Sequence, residues 1–176
     1  MAIVGDTLLV ADLAHLHEVD LETGTLIRSL EIPDAVFLND VTSDGQHAYI
    51  SDFIGNRIWH YQAGDVSIWL EDDALAHPNG LLLDGSLLIV GSWGHGMRDA
   101  FSTEEPGALL AIDLVTQSIS TLTPSLGNLD GVVRIGELLL TNDWITGQLF
   151  MVDSDGTQRV AAEYPAGLAD IAANGN

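Results

Sequence analysis

Asn39, Asn79, Asp130 and Asp170 are the residues of this sequence whose types and spacing could support chemistry. Each stands in a short polar motif that leads into an apolar run: Asn-Asp-Val, Asn-Gly-Leu, Asp-Gly-Val and Asp-Ile. Forty residues separate Asn39 from Asn79, fifty-one separate Asn79 from Asp130, and forty separate Asp130 from Asp170. All four offer side-chain oxygen. Mixed amide and carboxylate oxygens suit a hard divalent cation such as Ca²⁺, with Zn²⁺, Mn²⁺ and Mg²⁺ as the other candidates. Such an ion polarises a carbonyl and lowers the pKa of bound water, and a carboxylate beside it can act as general base. All four are therefore candidate ligands of such an ion, Asp130 and Asp170 being the carboxylates among them. Asn-Gly and Asp-Gly are also ordinary turn pairs, so the functional reading rests on their recurrence in register.

Other recurring residues carry less. Asp52 and Asp143 follow Asn39 and Asp130 by thirteen residues, as Ser92 follows Asn79, and Asp12 closes a matching segment. These positions end a strand, where Asp caps turns. Trp93 and Trp144 each follow such a strand; they either line an apolar wall over the site or plug the space between repeats. Trp93, as part of such a wall, and His95, in the inserted loop, are candidate substrate-binding residues. His15 and His17 alternate on a strand without a third ligand, His60 reads as a surface strand residue, and His77 precedes the Pro78-Asn79-Gly80 motif. No Ser–His–Asp order, G-x-S-x-G, Walker loop or G-x-G-x-x-G is present.

The elements that must position these residues are short strands. Phe37–Thr42, His47–Ser51, Arg57–Gln62 and Val66–Leu70 read as four consecutive strands. Turns at Ser43-Asp44-Gly45-Gln46 and Ala63-Gly64-Asp65 separate two of the pairs. Matching hairpins occur at Glu22-Thr23-Gly24 and Ser154-Asp155-Gly156, where glycine supplies the positive φ of tight turns. No 3.6-residue pattern persists for three turns. A period near forty residues with four strands per period predicts an all-β fold, a β-propeller of four-stranded blades. The extra length in the third period, around Gly94–Gly107, is an inserted loop of the kind that carries specificity on a rigid scaffold or simply covers its surface.

The 176 residues suffice for one domain with its own core, and 47% of them are hydrophobic. Twenty-six acidic residues face five basic ones, all arginine, for a net charge of −21. A surface that tracks phosphates needs lysine and arginine, so nucleic acid and anionic membranes are excluded as expected partners. Cysteine is absent, which removes disulfides and thiolate metal sites. No apolar run reaches membrane-spanning length, and no secretory leader opens the chain. The location of the protein is not legible.

Counting back thirteen residues from Asp12 lands before Met1, although most of an inner strand, Ala2–Val4, is present. Asp170 opens another inner strand six residues before the last residue. The sequence therefore predicts about four blades and the start of a fifth in a single partial propeller domain over 1–176. Open blade edges favour covering, so a homo-oligomer is expected.

Three motifs, FLNDV (Phe37–Val41), HPNGLLL (His77–Leu83) and NLDGVV (Asn128–Val133), resemble the successive inner-strand motifs of the gluconolactonase family. That family includes senescence marker protein (regucalcin) and luciferin-regenerating enzyme. The resemblance runs over nearly the whole chain, and VADLAHLHEVDLETG is similar to bacterial members. It implies a six-bladed propeller with a divalent metal in its channel. It implies further that Asn79 and Asp130 match two metal ligands, that Asp130 is the general base, and that Asn39 faces substrate and water at the metal. The family's remaining ligand is a Glu of the first blade, which no residue here matches. The resulting expectation is a metal-dependent hydrolase of a small lactone or ester. The alternative is a non-catalytic or truncated propeller module that serves binding or assembly.

Overall fold

Alternation of apolar and polar residues over five or six positions, broken by Gly- and Asp-containing turns, makes this chain a succession of antiparallel strands. The computed structural model describes residues 1–173. Its contacts divide the chain into two compact units, Met1–Asp73 and Ala74–Asn176.

The first unit holds two four-stranded sheets. One runs β1 (Ala2–Val4), β2 (Thr7–Asp12), β3 (His15–Asp20) and β4 (Leu26–Glu31) in sequential order. The other runs β5 (Leu38–Ser43), β6 (His47–Asp52), β7 (Arg57–Gln62) and β8 (Asp65–Glu71) in the same way. The inner and second strands carry the buried residues: Leu9, Leu16, Leu38, Ile50 and Trp59 form one cluster with Val41, Ala48 and Tyr61. At roughly 1.5–3 kcal/mol for each large side chain removed from water, this cluster holds the two sheets face to face. The fourth strands are mostly exposed.

A buried polar link crosses the same unit. Glu18, 6% exposed, accepts hydrogen bonds from Arg28 Nη2 at 2.7 Å and from the Tyr61 hydroxyl at 3.0 Å. Arg28 also donates to the Gly64 carbonyl at 2.9 Å, joining β4 to the β7–β8 hairpin. The Arg28 guanidinium outweighs the cost of burial and holds the Glu18 carboxyl below its ordinary range.

The second unit repeats the scheme with one interruption. β9 (Pro78–Asp84) pairs with β10 (Leu87–Ser92). The inserted segment then forms a two-stranded hairpin of β11 (Gly94–His95) and β12 (Glu105–Pro106). The sheet resumes with β13 (Leu109–Asp113) and β14 (Ile119–Thr121). The last sheet runs β15 (Leu129–Ile135), β16 (Leu138–Asp143), β17 (Gln148–Val152) and β18 (Gln158–Glu163). Ile89, Leu109, Leu129, Val132, Leu139 and Val152 join in its core.

The strands expected around Asn39 sit within one residue of their observed bounds, and the chain is all-β as read, with four four-stranded sheets among the described residues. Residues 167–171, the expected start of a further inner strand, follow β18 without strand pairing.

Candidate functional site

Each inner strand that carries a candidate residue is broken by a bulge at that residue. Leu38 pairs with Asp52 and Val41 with Ile50, so Asn39 and Asp40 together oppose Ser51. Asn79 and Gly80 oppose Gly91 in the same way, and Asp130 and Gly131 oppose Asn142. A bulge places two residues against one and re-aims the side chains there. It also frees a backbone amide. The second strand supplies its partner: Ser51 Oγ accepts from Asp40 N at 2.9 Å, and Asn142 Oδ1 accepts from Gly131 N at 2.9 Å. The residue that follows the second strand closes the bulge from the other side. Phe53 N donates to Phe37 O at 2.8 Å, Trp93 N to His77 O at 2.9 Å, and Trp144 N to Asn128 O at 3.0 Å.

Of the strand-ending carboxylates, Asp52 and Asp143 cap turns, whereas Asp12 contacts the His17 ring at 3.3 Å. Asp52, fully buried, accepts the amides of Val36, Phe37 and Gly55. Asp143 accepts those of Ile145 and Thr146 and the Thr146 hydroxyl.

The second unit brings Asn79 and Asp130 onto neighbouring inner strands, β9 and β15. Gly80 lets them approach: a Cβ on Gly80 would lie 1.9 Å from the Asp130 carbonyl oxygen. Asn79 is only 2% exposed, and its Oδ1 is buried with no hydrogen-bond partner. A buried acceptor left unsatisfied costs about 1–3 kcal/mol. Such an atom beside a half-buried carboxylate residue is a fit for a hard cation, because both are oxygen donors. Among the described residues no group of three or more His, Cys, Asp or Glu side chains is arranged to hold a metal ion. Of the four candidate ligands, these two strands carry Asn79 and Asp130, each of which could offer side-chain oxygen to a cation.

An aromatic wall flanks the two strands. Trp93, 4% exposed, and Trp144 have ring centroids 5.9 Å apart at a tilt of 46°. Sequence reasoning missed Asn128, two residues before Asp130. Its Nδ2 donates to the Trp93 carbonyl and to Thr103 Oγ1 in the inserted loop, both at 2.8 Å. Its place as the first residue of NLDGVV was a signal; its bond to the insertion was not.

Asn39 is exposed and belongs to the first unit, whereas Asn79 and Asp130 belong to the second. His95 is exposed on β11 opposite Glu105. It lines a separate cavity of about 280 Å³ with Ser92, Glu105 and Ser125, whose walls include neither Asn79 nor Asp130. Asp170 lies after β18 in a segment without strand pairing. Asp40 Oδ1 accepts from Val41 N and Asp170 Oδ1 from Ile171 N, both at 2.7 Å.

No family model matches the chain, and no curated protein matches it. Solved structures do resemble it. A protein assigned as TolB from Agrobacterium tumefaciens superposes with a TM-score of 0.65 at 18% identity, over 92% of this chain and 61% of that one. The computationally designed Ika4 protein gives 0.58 at 10% identity, over 93% of this chain and 89% of that one. Glutaminyl cyclase from Myxococcus xanthus gives 0.54 at 10% identity, over 81% and 58%. The chain thus spans under two thirds of the TolB and cyclase chains it resembles. Together with the four-stranded antiparallel sheets, these likenesses define the class: an all-β protein of β-propeller type. At such identities they show the fold alone.

Proposed function

We propose that this chain carries a divalent-cation-dependent hydrolase site for a small lactone or ester, centred on Asn79 and Asp130. The supporting observation is Asn79 Oδ1, a buried acceptor without a hydrogen-bond partner on the strand next to Asp130. The resemblance of HPNGLLL and NLDGVV to gluconolactonase motifs supports the same two residues as ligands. When bound, the cation supplies Lewis acidity toward a substrate carbonyl oxygen. Asn79 contributes its amide oxygen, held by the β9 bulge and by Gly80. Asp130 accepts a proton from the attacking water at its carboxylate and returns it to the alkoxide released when the ring C–O bond breaks. Trp93 and Trp144 keep water from one side of the site.

The test is a titration of the chain with Ca²⁺, Mn²⁺ and Zn²⁺ by calorimetry, together with turnover of a lactone panel. Asp130→Asn is expected to reduce kcat by about 10²–10⁴, the span of a general base. An absence of both cation binding and cation-dependent turnover would defeat the reading. The second reading, a binding or assembly module without catalysis, is favoured by the two-residue donor set. Cation binding that survives with no hydrolysis of any lactone would select it.

A further inference from the structure

Trp93 is held by its amide, its indole and its carbonyl. The amide donates to His77 O at 2.9 Å and the indole N–H to Phe101 O at 2.7 Å. The carbonyl accepts from Asn128 Nδ2 at 2.8 Å and from Gly107 N at 3.2 Å. Two of these partners end pairs of left-handed residues. Ala76 and His77 have φ of 50° and 59°, and Ala100 and Phe101 have φ of 58° and 61°. Residues with a Cβ seldom enter this region and rarely in succession. Such backbone persists where its surroundings over-determine it. Here one tryptophan bonds to both pairs, and Gly94 N adds a bond to Ala76 O at 2.9 Å.

The anchors lead straight into the candidate site. His77 lies two residues before Asn79, and Asn128 two before Asp130. Between the anchors, the segment Gly94–Gly107 is closed by the β11–β12 hairpin, by Arg98 N donating to Ser102 O at 2.7 Å, and by an Arg98–Glu104 ion pair at 2.8 Å. Its tip leaves Phe101 46% exposed.

We propose that Gly94–Gly107 is a strap that selects lactones or esters with an apolar substituent for the Asn79–Asp130 site, and that Trp93, Asn128 and Thr103 are the positioning residues that hold it. The selectivity follows from the exposed Phe101 ring and the half-buried Trp144, backed by the buried Trp93, which offer apolar surface to a substituent and nothing to an unsubstituted ring. This role rests on the hydrolase reading of Asn79 and Asp130.

Trypsin tests the strap on the intact chain. The sequence has no lysine and five arginines, and only Arg98 lies in the strap. Trp93→Phe removes the indole donor and keeps an aromatic ring; Thr103→Val removes only the acceptor of Asn128. Both variants are expected to speed cleavage after Arg98 roughly tenfold, the effect of one lost hydrogen bond on local opening. Cleavage after Arg57 and Arg134 should be unchanged; acceleration at all sites would report unfolding of the variant. In that event Asn128→Asp, which keeps the shape of the anchor, provides the comparison. With Thr103→Val, KM is expected to rise several-fold for a γ-lactone bearing an octyl chain and to stay level for the unsubstituted ring, with kcat unmoved for both. Unchanged cleavage after Arg98, or an equal KM change for both lactones, overturns the proposal. If the wild-type chain binds no Ca²⁺ and hydrolyses no lactone while the cleavage pattern is as expected, the reading of Asn79 and Asp130 is what fails, and the strap's role in selection falls with it.

Discussion

Asn79 separates a binding role from a structural one by a simple energetic argument. Its Oδ1 makes no hydrogen bond, so removing the oxygen should cost the cation-free protein little. Asn79→Ala is expected to weaken cation binding at least tenfold by calorimetry while shifting the cation-free melting temperature by only a few degrees. A large loss of stability with binding intact would mark Asn79 as structural. Glu18 is the opposite case. Its carboxyl, lowered by Arg28, is ionised and hydrogen-bonded in the folded state. The folded pKa lies below the unfolded one, so its contribution is complete above the ordinary value of 4.5 and fades as pH falls through the lowered value. Glu18→Gln should flatten this acid limb of the stability curve. At neutral pH it should cost about 1–2 kcal/mol, a modest figure because Arg28 is half exposed. Asp44 adds to the same limb. Burial alone would raise its carboxyl, but the amides of His47 and Gln46 and the His47 ring bring it down to about 2.

At the scale of elements, the bulge decides where a candidate residue points. The motifs Asn-Asp, Asn-Gly and Asp-Gly were visible as polar breaks in apolar runs, and each proved to be the pair that opposes a single residue on the second strand. Their periodic recurrence was legible because every sheet solves the same problem with the same residues. The function of Gly80 was not legible, since it depends on a strand fifty residues away. Gly80 is a matter of space rather than of φ, as is Gly107, where a Cβ would lie 1.9 Å from the Ser92 carbonyl oxygen. Gly80→Ala is expected to force β9 from β15, lowering stability by about 1–3 kcal/mol and abolishing cation binding. Wild-type melting and calorimetric behaviour in this variant would show that the two strands need not approach. Asp170 keeps the interval from Asp130 that the period predicts, and its Oδ1 accepts the Ile171 amide in a segment without strand pairing.

For the whole molecule, the balance of 26 acidic and 5 basic residues sets the response to salt. Each of the five arginines is already paired with a carboxylate: Arg28 with Glu18, Arg57 with Glu71, Arg98 with Glu104, Arg134 with Asp84 and Arg159 with Asp153. The remaining negative charges repel one another across the surface. The screening length falls from about 10 Å at 0.1 M salt to about 3 Å at 1 M, which relieves that repulsion in the compact state. The melting temperature should rise by several degrees between these conditions, about 1 kcal/mol for a chain of this size. A fall would mean that the surface ion pairs outweigh the repulsion.

The sequence by itself determined the all-β class, the four-stranded period, the strand bounds, the place of the insertion and the polar positions worth testing. These are properties of local pattern: alternation, turn chemistry and interval. The tertiary structure decided which of the polar residues come together. It brought Asn79 to Asp130 through the gap left by Gly80, put Asn39 in the other unit, turned His95 to a separate cavity and left Asp170 without strand pairing after β18. It also tied the insertion to the site through Trp93 and Asn128. Contacts of this kind join residues far apart in the chain, and their existence depends on ångström-scale clearances and on the face each bulge presents, neither of which a one-dimensional pattern encodes.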